Sequence, residues 1–404
     1  MGYAYFGRAL GRDMDAIVIG GGIVGLSAAH YLADRGVDVT LYEKGSLGMG
    51  STSRAAGGIR SQFSTAVNVE LSLASKEVWN AFEADFGVDI EYRKNGYLFL
   101  ARSEGTAEQF RENVRMQRDL GAHSEFLTSE EVADHCPGLH AGTFVGGSYN
   151  PDDGIADPNL AVQGYAKAAR EAGAAIHTKT GVADVLRDGE GVVGVEVEGR
   201  DESHGEGPTR HEADFVVNAA GAWARHVAAL ADVDLPIAPR RRQVAVVDPS
   251  QPVPESVPLT IDLETGSYFR PEREGIALVG GHFGGEDPDA DPDRYDDDMD
   301  IEWAATAVEN AAEYTDYFGP ETRIRRGWAG LYAVTGDHHP IIEETVPGFV
   351  TAAGFSGHGF QHAPATGQIV SEIVCDGEPK LVDVSELGSD RFEDGEEMVE
   401  HNVA

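Results

Sequence analysis

The stretch Ala16-Ile-Val-Ile-Gly-Gly-Gly-Ile-Val-Gly25 decides the fold. Its first four residues are all apolar, which predicts a short strand of a parallel sheet, buried on both faces. The glycines that follow have the spacing G-x-G-x-x-G, and a helical pattern of apolar residues comes after them. A second apolar run, Val37-Asp-Val-Thr-Leu-Tyr42, ends at Glu43. Together these segments predict a complete strand-helix-strand unit.

Such a unit is typical of a dinucleotide site. The glycines permit a tight turn and a close approach of the backbone to a pyrophosphate, and the helix N-terminus faces the phosphates. Glu43 follows Gly25 by eighteen residues and is placed to accept hydrogen bonds from a ribose diol. NAD and FAD both satisfy this pattern. The loop 45–60, rich in glycine and hydroxyl residues, favours FAD because an ordinary NAD domain would proceed to its next helix.

Composition limits the function classes. The chain has 404 residues, 41% of them hydrophobic, which suffices for a large core and two or three domain-sized units. Its net charge of -38 argues against nucleic acid and anionic membranes as partners. The 31 basic residues include only 6 lysines, and this acidic, lysine-poor composition predicts a halophilic protein. Cys136 and Cys375 stand alone, so we expect neither a disulfide framework nor a metal site.

We also expect a cytoplasmic protein. No apolar run is long enough to cross a membrane. The first thirteen residues lack the long apolar stretch and the cleavage site of a secretory signal.

Two later segments repeat the order of strand and then glycine, at Phe215–Trp223 and Pro347–Gly354, and an apolar helix follows the second. The stretches 94–149 and 236–324 contain alternating apolar and polar residues, as at Tyr97-Leu-Phe-Leu100 and Gly275-Ile-Ala-Leu-Val279, which predict short antiparallel strands. The predicted domains are a discontinuous FAD-binding domain over 14–93, 150–235 and 325–385, a substrate domain over 94–149 and 236–324, and an acidic, frayed tail over 386–404.

Four motifs carry a resemblance to a known family: Gly50-Ser-Thr-Ser-Arg-Ala-Ala-Gly-Gly-Ile-Arg60, Ala219-Ala-Gly-Ala-Trp223, Trp328-Ala-Gly-Leu331 and Gly354-Phe-Ser-Gly-His-Gly-Phe-Gln361. The chain resembles the D-amino-acid-oxidase-type FAD-dependent oxidoreductases from Asp15 to about Gly377. It looks closest to the branch with sarcosine oxidase β-type subunits, monomeric sarcosine oxidase and dye-linked proline dehydrogenase. The resemblance implies an α/β fold, with a glutathione-reductase-type FAD-binding Rossmann domain and a second, antiparallel α+β substrate domain.

The resemblance also implies a reaction. The family oxidises small amino acids, here secondary or N-methylated ones, to imines by hydride transfer to flavin N5. Arg60 matches the arginine that pairs with the substrate carboxylate. His358 and Gln361 begin the last helix, which faces the pyrimidine edge of the flavin. Tyr268 matches an active-site tyrosine that approaches the substrate, and His282 lies near a histidine of the family.

The remaining implied residues hold the FAD without a covalent bond. They come from the glycine turn, from the loop after the second strand and from later turns: Gly20, Gly22, Ile23, Val24, Gly25, Glu43, Lys44, Ser51, Thr52, Arg54, Ala55, Ala56, Gly57, Gly58, Ile59, Val182, Ala220, Gly221, Trp223, Gly330, Leu331, Gly354, Gly357, His358, Gly359, Phe360 and Gln361.

Departures from the family pattern narrow the prediction. Gln361 replaces a lysine that would hold the carboxylate, and Gly330 replaces a cysteine that would attach the flavin. Tyr332 replaces the arginine of glycine-oxidase-like relatives. No lysine occurs between Lys179 and Lys380, so the cation with which the oxidases activate dioxygen is missing. A dehydrogenase is favoured, with electrons leaving to an acceptor or a partner subunit.

Two other functions stay open. A FAD-dependent 2-hydroxy-acid dehydrogenase would use the same scaffold with a base beside the hydroxyl carbon. A non-catalytic assembly factor is the second alternative, because a respiratory complex I assembly protein shares the signature at 53–60. The acidic stretch 287–300 lacks the glycine and glutamate of a calcium loop, and Arg240-Arg-Arg242 receives no role.

Overall fold

The computed structural model describes residues 14–198, 200–201, 205–206, 208–283, 286–394 and 398–403. The helices, numbered along the chain, are α1 (Ile23–Asp34), α2 (Ala66–Phe86), α3 (Glu104–Asp119), α4 (Ser129–His135), α5 (Pro158–Glu171), α6 (Ala224–Leu230), α7 (Ile301–Tyr314), α8 (Gly359–Asp376) and α9 (Arg391–Asp394).

The strands are short and are numbered in the same way. They are β1 (Asp15–Ile19), β2 (Asp38–Glu43), β3 (Gly58–Ile59), β4 (Tyr97–Ala101), β5 (Glu125–Thr128), β6 (Gly146–Asn150), β7 (Gly154–Ile155), β8 (Ala175–Thr178), β9 (Gly181–Arg187), β10 (Val192–Glu198), β11 (Arg200–Asp201), β12 (Gly205–Glu206), β13 (Thr209–Glu212), β14 (Phe215–Asn218), β15 (Ala238–Asp248), β16 (Leu259–Asp262), β17 (Ser267–Pro271), β18 (Ala277–Gly280), β19 (Arg323–Val334), β20 (Ile341–Val346) and β21 (Phe349–Ala353).

A six-stranded sheet in the order β20-β21-β14-β1-β2-β8 forms the first layer. Its strands pair in parallel except at the edge, where β20 runs antiparallel to β21. Alternate residues of β1 serve the two faces: Ala16 and Val18 join the core under α1, α5 and α8, and Ile17 and Ile19 join the core beside β9, β10 and α6. The sheet is therefore covered on both sides, as the uninterrupted apolar run predicts.

An eight-stranded sheet in the order β19-β15-β18-β17-β16-β4-β6-β5 forms the second layer. All its pairs are antiparallel except β16 with β4. Strand β4 has no solvent-exposed face, because all five of its residues are buried. Leu98 and Leu100 face the core beneath α7, whereas Tyr97 and Phe99 face a second core with Phe110.

These sheets draw on several separate segments of the chain. Strands from all three segments assigned to FAD enter the six-stranded sheet, and β19 joins the other sheet. The domain boundaries themselves stay a prediction. Among the described residues, no helix is both long and apolar enough to cross a membrane, and no group of three or more metal-binding side chains is found.

The acidic stretch 287–300 and the triple arginine of β15 are partners. Arg240 pairs with Asp289 at 3.0 Å, Arg241 with Asp300 at 2.8 Å, and Arg242 with Asp287 at 2.7 Å. The hydrogen bond from Arg242 lowers the pKa of the Asp287 carboxyl, and burial opposes this shift only partly. The stretch is therefore bound to β15 by ion pairs.

A buried ion pair supports the turn that leads from β3 into α2. Lys76 Nζ lies 2.6 Å from Asp153 Oδ1, and their side chains are 8% and 0% exposed. Asp153 also accepts hydrogen bonds from the backbone N–H and the hydroxyl of Ser61, each at 3.1 Å. The pair thereby fixes the residue that follows Arg60.

Loss of this pair is expected to destabilise the protein strongly. Lys76→Met leaves the Asp153 carboxylate buried without its cation and should lower the free energy of unfolding by about 3–5 kcal/mol. Lys380→Met is the matched control: Lys380 is 57% exposed in its pair with Asp376, and its loss should cost at most about 1 kcal/mol. Denaturant unfolding at constant salt measures both variants. Equal losses would contradict a supporting role for the buried pair.

Candidate active site

One cavity of about 640 Å³ runs between the two sheets. Its wall begins at the carboxyl end of β1 and the first turn of α1, continues along the loop 49–60 and ends where β4, β17 and β19 meet the start of α8. Ligand sites of the open α/β class lie at this edge of the sheet, and the volume is in the range of cofactor and ligand pockets.

The glycine turn is built for close contact with a ligand. Gly20 has φ +111°, and a Cβ there would lie 2.6 Å from the carbonyl oxygen of Ala219. A Cβ on Gly25 would lie 2.0 Å from the Gly20 oxygen, so both positions require glycine. Gly22 caps α1 and offers no side chain to its first N–H groups. The amide of Ile23 donates to the Thr52 hydroxyl at 3.2 Å. This helix end is thus open to an anion such as a pyrophosphate.

The Glu43 carboxylate, at the end of β2, forms hydrogen bonds with two turns. Oε2 accepts from the Gly21 N–H at 2.8 Å and Oε1 from the Gly45 N–H at 2.6 Å. A carboxylate has about four acceptor positions, so lone pairs remain for a ribose diol. The N-terminus of α1, which has no side-chain cap, the glycine turn and the Glu43 carboxylate fit the adenosine end of FAD.

The opposite end of the cavity is formed by the first turn of α8. The Gln361 side-chain oxygen accepts from the Arg60 backbone N–H at 2.8 Å, and its backbone oxygen accepts from Trp79 Nε1 at 2.9 Å. A Cβ on Gly330 would lie 2.8 Å from the Cβ of Arg54, so the wall leaves no space for a side chain there.

The Arg60 guanidinium is a buried cation in this wall, only 5% exposed. Nη1 donates to the Gln62 oxygen, and Nη2 donates to the Asn402 oxygen and to His358 Nε2, the latter at 3.2 Å. The Phe63 ring lies 3.9 Å from the guanidinium carbon. Burial lowers the pKa of Arg60, yet arginine stays protonated in proteins. Among the described residues, no carboxylate forms an ion pair with it.

His358 is neutral in this arrangement. Burial, followed by the nearby Arg60 charge, lowers its pKa well below the ordinary value. An arginine can only donate, so His358 Nε2 is the acceptor and the ring proton resides on Nδ1. His358 therefore fixes the guanidinium and has no proton on Nε2 to give.

Aromatic and aliphatic residues line the rest of this end. Tyr97, Phe99, Tyr268 and Tyr332 lie in the wall with Leu259 and Ile261. Burial raises the pKa of Tyr97, Tyr268 and Tyr332, so their hydroxyls stay neutral. In the described part of the chain, Glu43 and Asp293 are the only lining carboxylates, and Asp293 is paired with Lys44 at 2.6 Å. Arg242 also lines this wall, but it is paired with Asp287 at 2.7 Å. The wall around Arg60 thus provides a cation without an ion pair and an apolar surface, and the described residues place no carboxylate base beside them.

Most residues predicted for the site lie in this wall. Three do not: Gly25 packs beneath the turn, Ile59 is fully buried, and His282 lies 4.0 Å from Asp287 outside the cavity. Sequence reasoning assigned no role to several lining residues, namely Tyr97, Phe99, Arg242, Leu259, Ile261 and Asn402. Tyr97 and Phe99 share one face of β4, but all five residues of this strand are apolar and buried, so the sequence alone does not distinguish that face.

The segment 398–403 reaches this wall, so the expectation of a frayed tail is wrong for these residues. The Glu400 carboxylate is fully buried. It accepts hydrogen bonds from the Ser64 N–H at 2.8 Å, the Thr65 hydroxyl at 2.8 Å and the Asn68 amide at 3.2 Å. Asn402 then places its carbonyl against Arg60. No local pattern in the sequence predicts a contact between positions 60 and 402.

The dinucleotide turn at one end and the buried arginine at the other are the features that the resemblance to flavin-dependent oxidoreductases predicts. The family model described as FAD dependent oxidoreductase (DAO) matches residues 15–373, and the chain belongs to this family. This confirms the resemblance that the four motifs carry, and with it FAD as the cofactor and the α/β fold class.

Individual proteins agree with this assignment. FAD-dependent oxidoreductase domain-containing protein 1 of Bos taurus is 31% identical over 96% of this chain and 87% of that protein. Glycine oxidase of Geobacillus kaustophilus is 29% identical over 89% of this chain and 92% of that protein. The crystal structure of L-proline dehydrogenase from P. horikoshii matches with a TM-score of 0.83 and 33% identity, covering 96% of this chain and 100% of that one.

Removal of the Glu43 carboxylate should weaken FAD binding. Glu43→Ala releases the Gly21 and Gly45 turns and removes the predicted ribose acceptor, so the dissociation constant of FAD should rise by roughly tenfold or more. Glu77→Ala, on the exposed side of α2, is the control. Flavin fluorescence during titration of the apoprotein measures both. Unchanged FAD affinity in Glu43→Ala would argue against this placement of the ribose.

Proposed function

We propose that the protein is a FAD-dependent dehydrogenase of small secondary or N-methylated amino acids. The observation that carries the proposal is the Arg60 guanidinium, a buried cation in the wall that forms no ion pair with a carboxylate of the described residues. A substrate carboxylate supplies the missing charge, and the planar guanidinium suits it. The neighbouring aromatic wall suits the apolar remainder of such a substrate.

The family supports the choice of an amino acid. The relatives include proteins named glycine oxidase, dimethylglycine dehydrogenase and L-proline dehydrogenase. Each name refers to a small amino acid, and two refer to substituted nitrogens. The apolar surface around Tyr268 and Tyr332 favours a substituted amine over a strongly hydrated ammonium group.

The chain's own groups then have limited roles in the reaction. Bound FAD supplies the hydride acceptor. Arg60 orients the substrate through its carboxylate, and the tyrosines exclude water. The N-terminus of α8 lines the cavity, and its positive dipole end would stabilise negative charge on a flavin held there. The described residues supply no carboxylate base at the substrate end, so the amine must be bound with its nitrogen lone pair free.

The lack of a carboxylate base among the described residues of the substrate end also argues against the 2-hydroxy-acid dehydrogenase alternative. A 2-hydroxy acid would require a group that accepts the hydroxyl proton during hydride transfer. The imidazole of His358 lies beside Arg60, and its Nε2 already accepts a hydrogen bond from the guanidinium. This geometry favours the amine as substrate.

Anaerobic spectroscopy tests the proposal. The flavin-loaded protein in high salt should lose its visible flavin absorbance on addition of sarcosine, L-proline or dimethylglycine. L-Prolinamide, which lacks the carboxylate, is the matched control and should reduce the flavin much more slowly. Reduction by lactate alone would favour the hydroxy-acid alternative. Absence of reduction by every small substrate, together with co-purification of a partner complex, would favour the non-catalytic one.

Substitution of Arg60 should act on substrate binding. Arg60→Met removes the carboxylate partner while retaining an apolar side chain, so KM should rise by about a hundredfold or more, with a smaller change in kcat. Arg111→Met, on the surface of α3, is the control and should change neither constant. Steady-state kinetics with a dye acceptor measures both. A full loss of kcat at unchanged KM would contradict the assigned role.

The electron acceptor is a further testable point. Strand β18 contributes Ala277, Leu278 and Val279, all buried and apolar, where oxidases of the family carry the lysine that activates dioxygen. The substrate-reduced protein should therefore react with a quinone or dye at least about tenfold faster than with air. Stopped-flow reoxidation compares the two rates. Faster reoxidation by air would establish an oxidase.

A further inference from the structure

The guanidinium of Arg60 has no free edge for a carboxylate. A bidentate pair uses either the two terminal nitrogens or Nε with Nη2, and both arrangements need a hydrogen on Nη2. The two hydrogens of Nη2 are already donated, one to the Asn402 oxygen and one to His358 Nε2. A substrate carboxylate can form its pair only after one of these acceptors has left.

Of the two acceptors, His358 is the less able to leave. It is the N-cap residue of the 18-residue helix α8 and packs edge-on against Phe63 with ring centroids 4.9 Å apart. Asn402 lies in the segment 398–403, which the structure describes without a helix or a strand. The Asn402 oxygen therefore stands where one oxygen of a substrate carboxylate would bind.

From this geometry we infer that the segment 398–403 is an internal competitor for the substrate site, in which Asn402 occupies Arg60 and Glu400 anchors the segment. This inference rests on the proposed function only in taking Arg60 as the carboxylate site. A carboxylate ligand displaces the Asn402 oxygen, and the strength of the Glu400 anchor sets the affinity for that ligand.

The anchor is electrostatic as well as structural. The Glu400 carboxylate accepts five hydrogen bonds, from Ser64 twice, from Thr65, from Asn68 and from the Asn402 backbone N–H at 3.0 Å. Its charge is also the largest of the influences that oppose the effect of burial on the pKa of Arg60. The Glu400 carboxylate and the substrate carboxylate therefore both interact with the charge of Arg60, Glu400 without direct contact.

The segment makes three further hydrogen bonds. The Asn402 amide donates to the Gln62 oxygen at 3.2 Å, which is the same oxygen that accepts from Arg60 Nη1. The backbone N–H of Glu400 donates to the Asp337 oxygen at 3.0 Å, and that of His401 donates to the Ser64 hydroxyl at 2.8 Å. The Oδ1 atom of Asn402 is buried without a hydrogen-bond partner in the described structure, so the closed arrangement is not fully satisfied.

Carboxylate binding to the flavin-loaded full chain tests the inference. The probe is acetate, with acetamide as the uncharged control, and calorimetry gives the dissociation constants. Glu400→Gln places an amide where hydroxyl and amide donors converge and removes the competing charge. It should lower the dissociation constant for acetate by roughly tenfold and leave acetamide unchanged. Glu393→Gln, at an exposed position of α9, is the matched control and should have no effect.

A second readout follows the segment itself. Acetate should raise the rate of amide hydrogen exchange at 400–402 in the unchanged protein, since the backbone N–H groups of these residues are all hydrogen-bonded in the closed arrangement. A chain that ends at Met398 should bind acetate at least as tightly as Glu400→Gln does. If that chain does not fold, the exchange measurement and Glu400→Gln decide.

Tighter acetate binding in Glu400→Gln with faster exchange on acetate addition supports the inference. Equal or weaker binding in this variant, or exchange that acetate slows or leaves unchanged, overturns it and shows a segment that only holds Arg60 in place. Failure of the proposed function gives a different result. In that case acetate binding and amide exchange change as described, but no amino acid reduces the flavin.

Discussion

The active site depends on the burial of one cation, Arg60, that forms no ion pair with a carboxylate of the described residues. Moving a guanidinium out of water costs several kcal/mol even after relaxation, and an unpaired charge is rare inside a protein. Around Arg60 that cost is met by neutral acceptors, by the ring of Phe63 and, at longer range, by the Glu400 carboxylate. Such an arrangement is stable and still attracts an anion, which is what a carboxylate-binding site requires.

The two ends of the cavity depend on different kinds of structure. The nucleotide end is local, because its turn, helix and acid all fall within residues 20–43. Glycine is required at positions 20 and 25, since a Cβ would lie 2.6 Å from the Ala219 oxygen and 2.0 Å from the Gly20 oxygen, respectively. The substrate end is assembled from distant segments. Strands β4, β17 and β19 supply its wall, the buried Lys76–Asp153 pair fixes the turn after Arg60, and the segment 398–403 closes over the guanidinium.

This difference explains how much the sequence alone could predict. The first strand-helix-strand unit was predicted from an apolar run and glycine spacing, and the structure places β1, α1 and β2 there. Most residues that the family motifs predict for the site line the cavity. The contacts that were missed link positions far apart: Arg60 with Asn402, and the triple arginine of β15 with the acidic stretch 287–300. Charge patterns marked both partners of the second contact, but without the sheet register nothing indicated that they meet.

Strand β4 shows a different limit. A period-2 pattern distinguishes the two faces of a strand only where one face meets solvent. Both faces of β4 meet apolar cores, so the sequence Tyr97–Ala101 could not show which residues face the cavity. The role of Tyr97 and Phe99 emerges only from the packing of the second sheet.

A crystal structure of the flavin-loaded protein grown with acetate tests the account most directly. The account predicts an acetate ion with both oxygens on Arg60 and the Asn402 carbonyl withdrawn from Nη2. His358 should remain in place. If the Asn402 oxygen still binds Arg60 while acetate lies elsewhere in the cavity, then Arg60 is a structural cation and the carboxylate site must be sought at another residue.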